Sequence, residues 1–507
     1  MHAADDGIRR PPLFSARKRL FMASLLFAFL FPYFTWKQAA ACALLLLLFS
    51  TLILPWLDVD VRKQPPIRPA ANTWTGIVLY PISVLALIVL YRNHPHVAAA
   101  AWAIMALGDG MATVVGEAVS MPFVVGRQAQ KTTAEILRFA QNDKGRAPHD
   151  ERNAQHDRVH LDWLRSWQQK IAATLPWNRQ KTWAGFLSFV IAGTLGAYVL
   201  TRWIAPEIPP DKTLTVCAAA AVIGAVLESL PIPLDDNITV PLVVGAFVFC
   251  AFLVERSALD SNLPYLGRRI ILALAVNLAF AFLAYALKAA SSSGAVCGFL
   301  LGTAIYLGYG YKSFLLLFAF VLLGSVATRL GFAKKAARGI AERRGGARSW
   351  REALANLLAA AFFAVLVITT HHEPAFLIAL VAALAEAAGD TVSSEIGQWA
   401  SDRAYLITTF KPVRAGEDGG ISLAGTAAGF AASAFIMGLG LGLGLCGPYR
   451  FAGPAIALGA AVAGNLLDSL LGATLQRRRL MTNGMVNLVG TSVAGALALG
   501  LALHLGL

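Results

Sequence analysis

The chemistry in this sequence is concentrated in carboxylates set inside or at the end of apolar runs. The stretch "EAAGDTVSSEIGQWASD" (386–402) follows directly on "AFLIALVAALA". It places Glu386, Asp390, Glu395 and Asp402 at the end of a run long enough to span a bilayer. Far earlier, "AIMALGDGMATVVGE" (103–117) sets Asp109 between Gly108 and Gly110 in the same kind of setting. An ionised Asp at the centre of a bilayer helix costs about 2.5–3.5 kcal/mol, so a function or a partner is expected for it. Flanking glycines allow a helix to break and let a phosphate approach the backbone closely.

Further polar clusters lie beside apolar runs. "PWNRQKTWAG" (176–185) puts Arg179, Lys181 and Thr182 at the start of a spanning helix, where positive charge and backbone N–H donors suit phosphate. "ESLPIPLDDNITVPL" (228–242) crowds Glu228, Asp235, Asp236 and Asn237 into one short loop, a set of hard oxygen ligands suited to Mg2+. In the other half of the chain Glu386 and Asp390 are four residues apart and share a helix face, with Ser393 and Ser394 close by. Glu395 points about 140° away from Asp390, and joins the same site only if Gly389 or Gly397 bends the helix. "ITTFKPVRAGEDGGISLAGT" (407–426) offers Lys411 and Arg414 ahead of Gly416, Gly419 and Gly420, a pattern that suits a phosphate cradle. "GNLLDSLLGATLQ" (464–476) adds Asp468, and "TNGMVN" adds Asn483 and Asn487 on one helix face. Gly425 and Gly429 read as helix-packing positions.

The elements that must hold these groups follow from composition. The 507 residues are 57% hydrophobic and 14% charged, against about 45–50% and 25% in soluble domains. Water cannot solvate a surface made this way, so the chain is expected to be an all-α, polytopic membrane protein. It shows about fifteen apolar runs of spanning length; the one at 295–308 is short enough to be re-entrant.

The net charge is +14, and the basic clusters at 9–19, 62–68, 127–181, 334–351 and 477–479 lie between apolar runs. Basic inter-helix loops predict cytosolic placement. They put the N-terminus and every acidic motif on the cytosolic side of a bacterial-type plasma membrane. Such loops suit anionic lipid headgroups and nucleotide phosphates. No basic stretch is interleaved with aromatics, so no nucleic-acid partner is expected. The five cysteines lie in or beside apolar segments without a C-x-x-C pair and read as core residues. Residues 127–170 read as a polar cytosolic insertion, expected to be partly disordered. A boundary near 256–268 divides the chain into domains 1–255 and 256–507, each with its own acidic motifs.

Over roughly 15–255 the chain resembles the dolichol kinase and phytol kinase family, relatives of the phosphatidate cytidylyltransferases. The motifs are "AIMALGDGMATVVG", "LPWNRQKTWAGFLSF" and "ESLPIPLDDNITVPL", in that family's order. The resemblance implies Mg2+-dependent phosphorylation of a long-chain isoprenoid alcohol from CTP. Asp109 would hold metal or nucleotide phosphates, Lys181 would meet the phosphates, and Asp235, Asp236 and Asn237 would complete the site.

Residues 262–507 resemble the membrane family that includes the phytyl-phosphate kinase of the vitamin E pathway. The motifs are "GAVCGFLLGTAIYLGYG", "LLGSVATRLG", "GDTVSSEIG", "LITTFKPVRAGEDGGISLAGT", "GNLLDSLLGATLQ" and "NGMVN". This resemblance implies a second phosphorylation, from isoprenyl monophosphate to diphosphate. Carried over residue by residue, it points to Asp390, Ser394, Glu395, Lys411, Gly419, Gly420, Asp468 and Asn487. Relatives tend to show Gly-Thr where this chain has Gly416-Glu417.

Together the halves read as a bifunctional isoprenoid-alcohol kinase, with Asp109, Asp235, Asp236, Asp390 and Asp468 as metal-binding candidates. A CDP-lipid-forming cytidylyltransferase and a lipid or isoprenoid-phosphate transporter are the alternatives. Labelled CTP separates the first, and lipid movement without CTP turnover would mark the second.

Overall fold

The computed structural model describes residues 22–53, 73–120, 173–341, 346–447 and 451–507. The insertion expected at 127–170 lies outside the described residues. The chain divides into two compact units, Met1–Phe252 and Leu253–Leu507.

Among the described residues, twelve helices are long and apolar enough to cross a membrane, and three apolar helices are shorter. The first unit holds the three short ones, α1 (Met22–Tyr33), α2 (Trp36–Leu52) and α3 (Val78–Leu90). Four long helices follow: α4 (Pro95–Gly116), α5 (Trp183–Ile204), α6 (Pro210–Ser229) and α7 (Asp236–Leu253). The second unit contains α8 (Arg256–Ala286), α9 (Ser292–Tyr309), α10 (Tyr311–Arg329) and the short α11 (Phe332–Ala337). It continues with α12 (Trp350–Thr369), α13 (Glu373–Ala400), α14 (Leu423–Gly442), α15 (Ala452–Gln476) and α16 (Asn483–His504). The short run at 295–308 is thus part of an 18-residue helix of spanning length rather than a re-entrant turn.

Helices dominate because an apolar medium offers no partners to backbone N–H and C=O groups, which an α-helix satisfies internally. Polar side chains stop the free ends. Gly185 N–H is capped by Thr182, Gly425 N–H by Ser422 and Gly294 N–H by Ser291, at 3.1, 3.1 and 3.2 Å. At the start of α12 the Ser349 N–H donates to Glu352 Oε2 at 2.5 Å.

The first unit is built around α4, where every residue from Val97 to Ala106 is buried. Its Trp102 indole donates to the Tyr80 hydroxyl at 2.7 Å, which ties α4 to α3.

The second unit is built around α13, buried along almost its whole apolar length and packed by α10, α12, α14, α15 and α16. Small residues let α14 approach it. A Cβ on Gly429 would lie 2.7 Å from the Gly389 carbonyl oxygen, and one on Gly425 would lie 2.6 Å from that of Ser393. Gly425 and Gly429 are therefore packing positions, as their spacing suggests. By contrast α8 is largely unburied and turns apolar side chains such as Ile271 and Phe282 outward.

The segment after α13 is not a plain loop. Strand β3 (Arg403–Leu406) pairs antiparallel with both β4 (Pro412–Arg414) and β5 (Gly420–Ile421). The first unit has a smaller hairpin, β1 (Thr174–Leu175) against β2 (Asn178–Thr182), that delivers Lys181 to the start of α5.

Candidate functional site

Each unit gathers polar groups at one end of its bundle. In the first, Asp109 comes from the later part of α4, Lys181 from the hairpin before α5, Glu228 from the end of α6 and Asp236 from the start of α7. Lys181 is ion-paired with Glu228, which is buried. Asp236 lies within electrostatic reach of Asp109, Asp235, Lys181 and Glu228. Asn237 turns inward and donates from its N–H and its Nδ2 to Asp235 Oδ1, at 3.0 and 2.7 Å. Asn178 and Trp177 bind Ser229 at 2.9 and 3.1 Å, which pins the hairpin to the end of α6. Thr182 is occupied as the cap of α5, and Arg179 is exposed on the hairpin.

The glycines around Asp109 differ from expectation. A Cβ on Gly108 would lie 2.8 Å from the Phe189 ring, and one on Gly110 would lie 2.8 Å from Met22 Sδ. Both spaces are filled by side chains, so these residues serve helix packing rather than phosphate approach. Nor does the helix break at Asp109. A π-helical turn over Ile104–Gly108 leads straight into the next helical turns, and Asp109 itself is helical at φ −64°, ψ −39°.

In the second unit the carboxylates of α13 and α15 meet the carboxamides of α16 and α12. Asn487 Nδ2 donates to Asp390 Oδ2 and to Asn356 Oδ1, both at 3.2 Å. Asn356 in turn donates to the Glu352 carbonyl at 3.0 Å. One helical turn before Asp390, Glu386 is 1% exposed and lies within electrostatic reach of Asp390 and Asp468. Its carboxylate fits between α15 and α16 because Gly464 and Gly490 face it; a Cβ on Gly464 would lie 2.7 Å from Glu386 Cγ. Arg348, just ahead of α12, is the cation acting on Asp390.

Glu395 stands apart from this cluster. Helix α13 runs unbroken to Ala400, so Glu395 faces α10 and α11 instead. Its carboxylate accepts from Lys335 Nζ at 2.5 Å and from Thr328 Oγ1 at 2.8 Å. Lys335 also caps the last carbonyls of α10, those of Ala327 and Thr328. The cation, the carboxylate and the helix end are all buried, which is a structural arrangement rather than a phosphate site. Lys335→Met strands the Glu395 charge and is expected to cost ~3–5 kcal/mol. Lys335→Met combined with Glu395→Leu is expected to recover most of that loss, read by thermal unfolding of the purified protein.

The glycine-rich segment is closed as well. Gly419 has φ +71°, and a Cβ there would overlap Ala473 at the end of α15. The Gly420 N–H is spent on the Glu417 carbonyl at 3.0 Å. Glu417 pairs with Arg477 at 3.3 Å, and Asp418 accepts from Gln476 at 2.8 Å. Gly419 and Gly420 therefore fasten the β3–β5 sheet to α15, and Lys411 and Arg414 are exposed on that sheet. Ser394 is exposed too.

A model of an integral membrane protein family, DUF92, matches residues 275–501, almost the whole of the second unit. An uncharacterized membrane protein of Synechocystis sp., sll0875, is 37% identical over 205 residues, 40% of this chain and 78% of that protein. The chain belongs to the integral membrane protein DUF92 family. Protein VTE6, chloroplastic, of Arabidopsis thaliana is 35% identical over 216 residues, 41% of this chain and 64% of that protein. A probable phytol kinase 2, chloroplastic, of Glycine max is 30% identical over 95 residues, 18% of this chain and 32% of that protein. The chain spans less than two thirds of either plant protein. No solved structure matches.

The DUF92 region contains the whole Glu386, Asp390, Asp468 and Asn487 cluster. Among the described residues no three His, Cys, Asp or Glu side chains are arranged to enclose a metal ion. Mg2+ does not require such a cage, because it is commonly held by one or two carboxylates together with waters and substrate phosphates. Three carboxylate oxygens in this cluster, both of Glu386 and Oδ2 of Asp468, are buried without a hydrogen-bond partner. Hard oxygen donors left unsatisfied at helix-bundle depth fit a divalent cation.

Arg348, Asn356 and Lys335 were not legible as site or support residues. Lys335 and Arg348 sit in a basic cluster that reads simply as a cytosolic anchor. Asn356 had one signal, a carboxamide in the first turns of an otherwise apolar helix.

Proposed function

We propose that the chain is a bifunctional isoprenoid-alcohol kinase. The first unit phosphorylates a phytol- or polyprenol-type alcohol from CTP, and the second converts the monophosphate to the diphosphate. The observation that carries this reading is that each unit brings carboxylates and a cation from separate helices to one end of its own bundle. Asp109, Asp236 and Lys181 meet in one, and Asp390, Asp468 and Arg348 in the other. The motif resemblances and a relative named as a probable phytol kinase support the substrate class.

Phosphoryl transfer needs little covalent work from a protein. It needs positioning and screening of the charge spread over the transferred group. Part of that screening would come from Mg2+ when bound, which supplies positive charge. Asp109, Asp235 and Asp236 would hold it in the first unit, and the acidic cluster of α13 and α15 in the second. Lys181 supplies a fixed positive charge in the first unit, and Arg348 supplies one in the second. Asn487 holds Asp390 in place and Asn237 holds Asp235. The isoprenoid tail would lie among the helices, with its polar head at the end that carries the carboxylates. In the first reaction a carboxylate accepts the hydroxyl proton. In the second the acceptor is already an anion and needs screening more than a base. The basic residues at the same end as the second cluster, among them Lys334, Arg338, Arg403 and Arg477, support a cytosolic placement of that end.

The test is purified protein with Mg2+, phytol or geranylgeraniol, and CTP labelled at the α or γ phosphate. γ-Label in a lipid monophosphate and then a diphosphate is expected. α-Label in the lipid would replace the kinase with a cytidylyltransferase, and lipid transfer between vesicles without CTP turnover would replace it with a transporter.

A further inference from the structure

Polar groups in the second unit form two layers a helical turn apart. The outer layer is satisfied: Asp390 is bonded by Asn487, Asn487 also binds Asn356, and Arg348 supplies positive charge. The inner layer is not. Glu386 is almost fully buried, yet neither of its oxygens has a partner, and Oδ2 of Asp468 is in the same condition.

The site has been given room on purpose by sequence. Gly464 stands one turn before Asp468 on α15, and Gly490 one turn after Asn487 on α16. A Cβ on Gly490 would overlap Glu386 Oε1 and lie 3.6 Å from Asp468 Cβ. Two glycines on two helices therefore open the slot that brings Glu386 beside Asp468. Burying an ionised carboxylate without a counter-charge is among the most unfavourable arrangements a protein can make. Three unpartnered carboxylate oxygens on two neighbouring helices fit a cation.

We propose that Glu386 and Asp468 together ligate one divalent cation, held a helical turn deeper in the bundle than Asp390. The proposal rests on the kinase reading for what the cation does, since two carboxylates leave coordination positions open for water and phosphate oxygens. It narrows that reading by moving the metal from Asp390, whose carboxylate already has partners, to Glu386. Asp390 and Arg348 then act as positioning groups above it.

Mn2+ is the probe, counted by electron paramagnetic resonance on the purified full chain carrying Asp109→Asn, Asp235→Asn and Asp236→Asn, which removes the three carboxylates given to metal in the first unit. One saturable Mn2+ is expected. Glu386→Gln and Asp468→Asn should each weaken it at least tenfold, whereas Asp390→Asn should weaken it less than threefold. Gln and Asn match the size of the groups they replace, and thermal unfolding without metal should be unchanged or raised. Mn2+ should raise the unfolding temperature of the parent and not of Glu386→Gln. Undiminished binding by Glu386→Gln, loss caused by Asp390→Asn alone, or no saturable Mn2+ with or without CTP would each overturn the proposal. If Glu386→Gln misfolds, Asp468→Asn decides. Mn2+ binding as described in a protein with no kinase activity would keep the cation site and discard the kinase, so the two failures are separable.

Discussion

With phytol, CTP and Mg2+ supplied, Asp390→Ala is expected to accumulate monophosphate while diphosphate formation falls by on the order of 10²-fold. The asymmetry between products is the point. Asp390 lies in the second unit, bonded by Asn487 and facing the charge of Arg348. Removing it leaves the first unit untouched. The direct structural cost is one hydrogen bond, about 1 kcal/mol, too little to unfold a bundle in which α13 contacts six other helices. Asp390→Asn separates charge from shape, because a carboxamide can still meet Asn487 but cannot offset Arg348. If the role is electrostatic, the Asn variant should be nearly as impaired as the Ala variant, with the unfolding temperature of each close to the parent's. Unchanged diphosphate in both would remove Asp390 from the reaction.

Periodicity made part of this arrangement legible. The i, i+4 spacing of Glu386 and Asp390 places both on one face of α13, and that face meets Asp468 and Asn487. The same arithmetic turned Glu395 away, and with α13 unbroken it pairs with Lys335 instead. Apolar run lengths gave the helices their approximate positions for a simple reason: in lipid a run either spans as a helix or does not form. What stayed hidden depends on partners distant in the chain. Nothing near Gly108 announces that Phe189 fills its space, and nothing near Gly419 announces Ala473. Both look like phosphate glycines until the neighbouring helix is in place. Arg348 and Lys335 were hidden by company, since one basic cluster supplies a site cation and a buried helix cap as well as exposed charges.

Lys181→Met should stop formation of the first product, with a fall again on the order of 10²-fold or more, and should destabilise the first unit as well. Burial works against the Lys181 ammonium, but the Glu228 carboxylate, with Asp109 and Asp236 beyond it, outweighs burial and lifts its pKa above the ordinary lysine value. Lys181 is therefore charged throughout any physiological assay. A group with a raised folded-state pKa contributes its full stability below the unfolded value and loses it only as pH rises through the folded one. The pair should accordingly show no pH dependence at neutrality and weaken only in strong alkali. Met at this position leaves Glu228 buried and unpaired, a loss of ~3–5 kcal/mol, so low activity alone would not identify the cause. Lys181→Met with Glu228→Leu removes both charges and should recover the unfolding temperature without recovering the product. If the double variant regains phosphorylation along with stability, Lys181 is a structural partner of Glu228 and not the phosphate-facing cation of this unit.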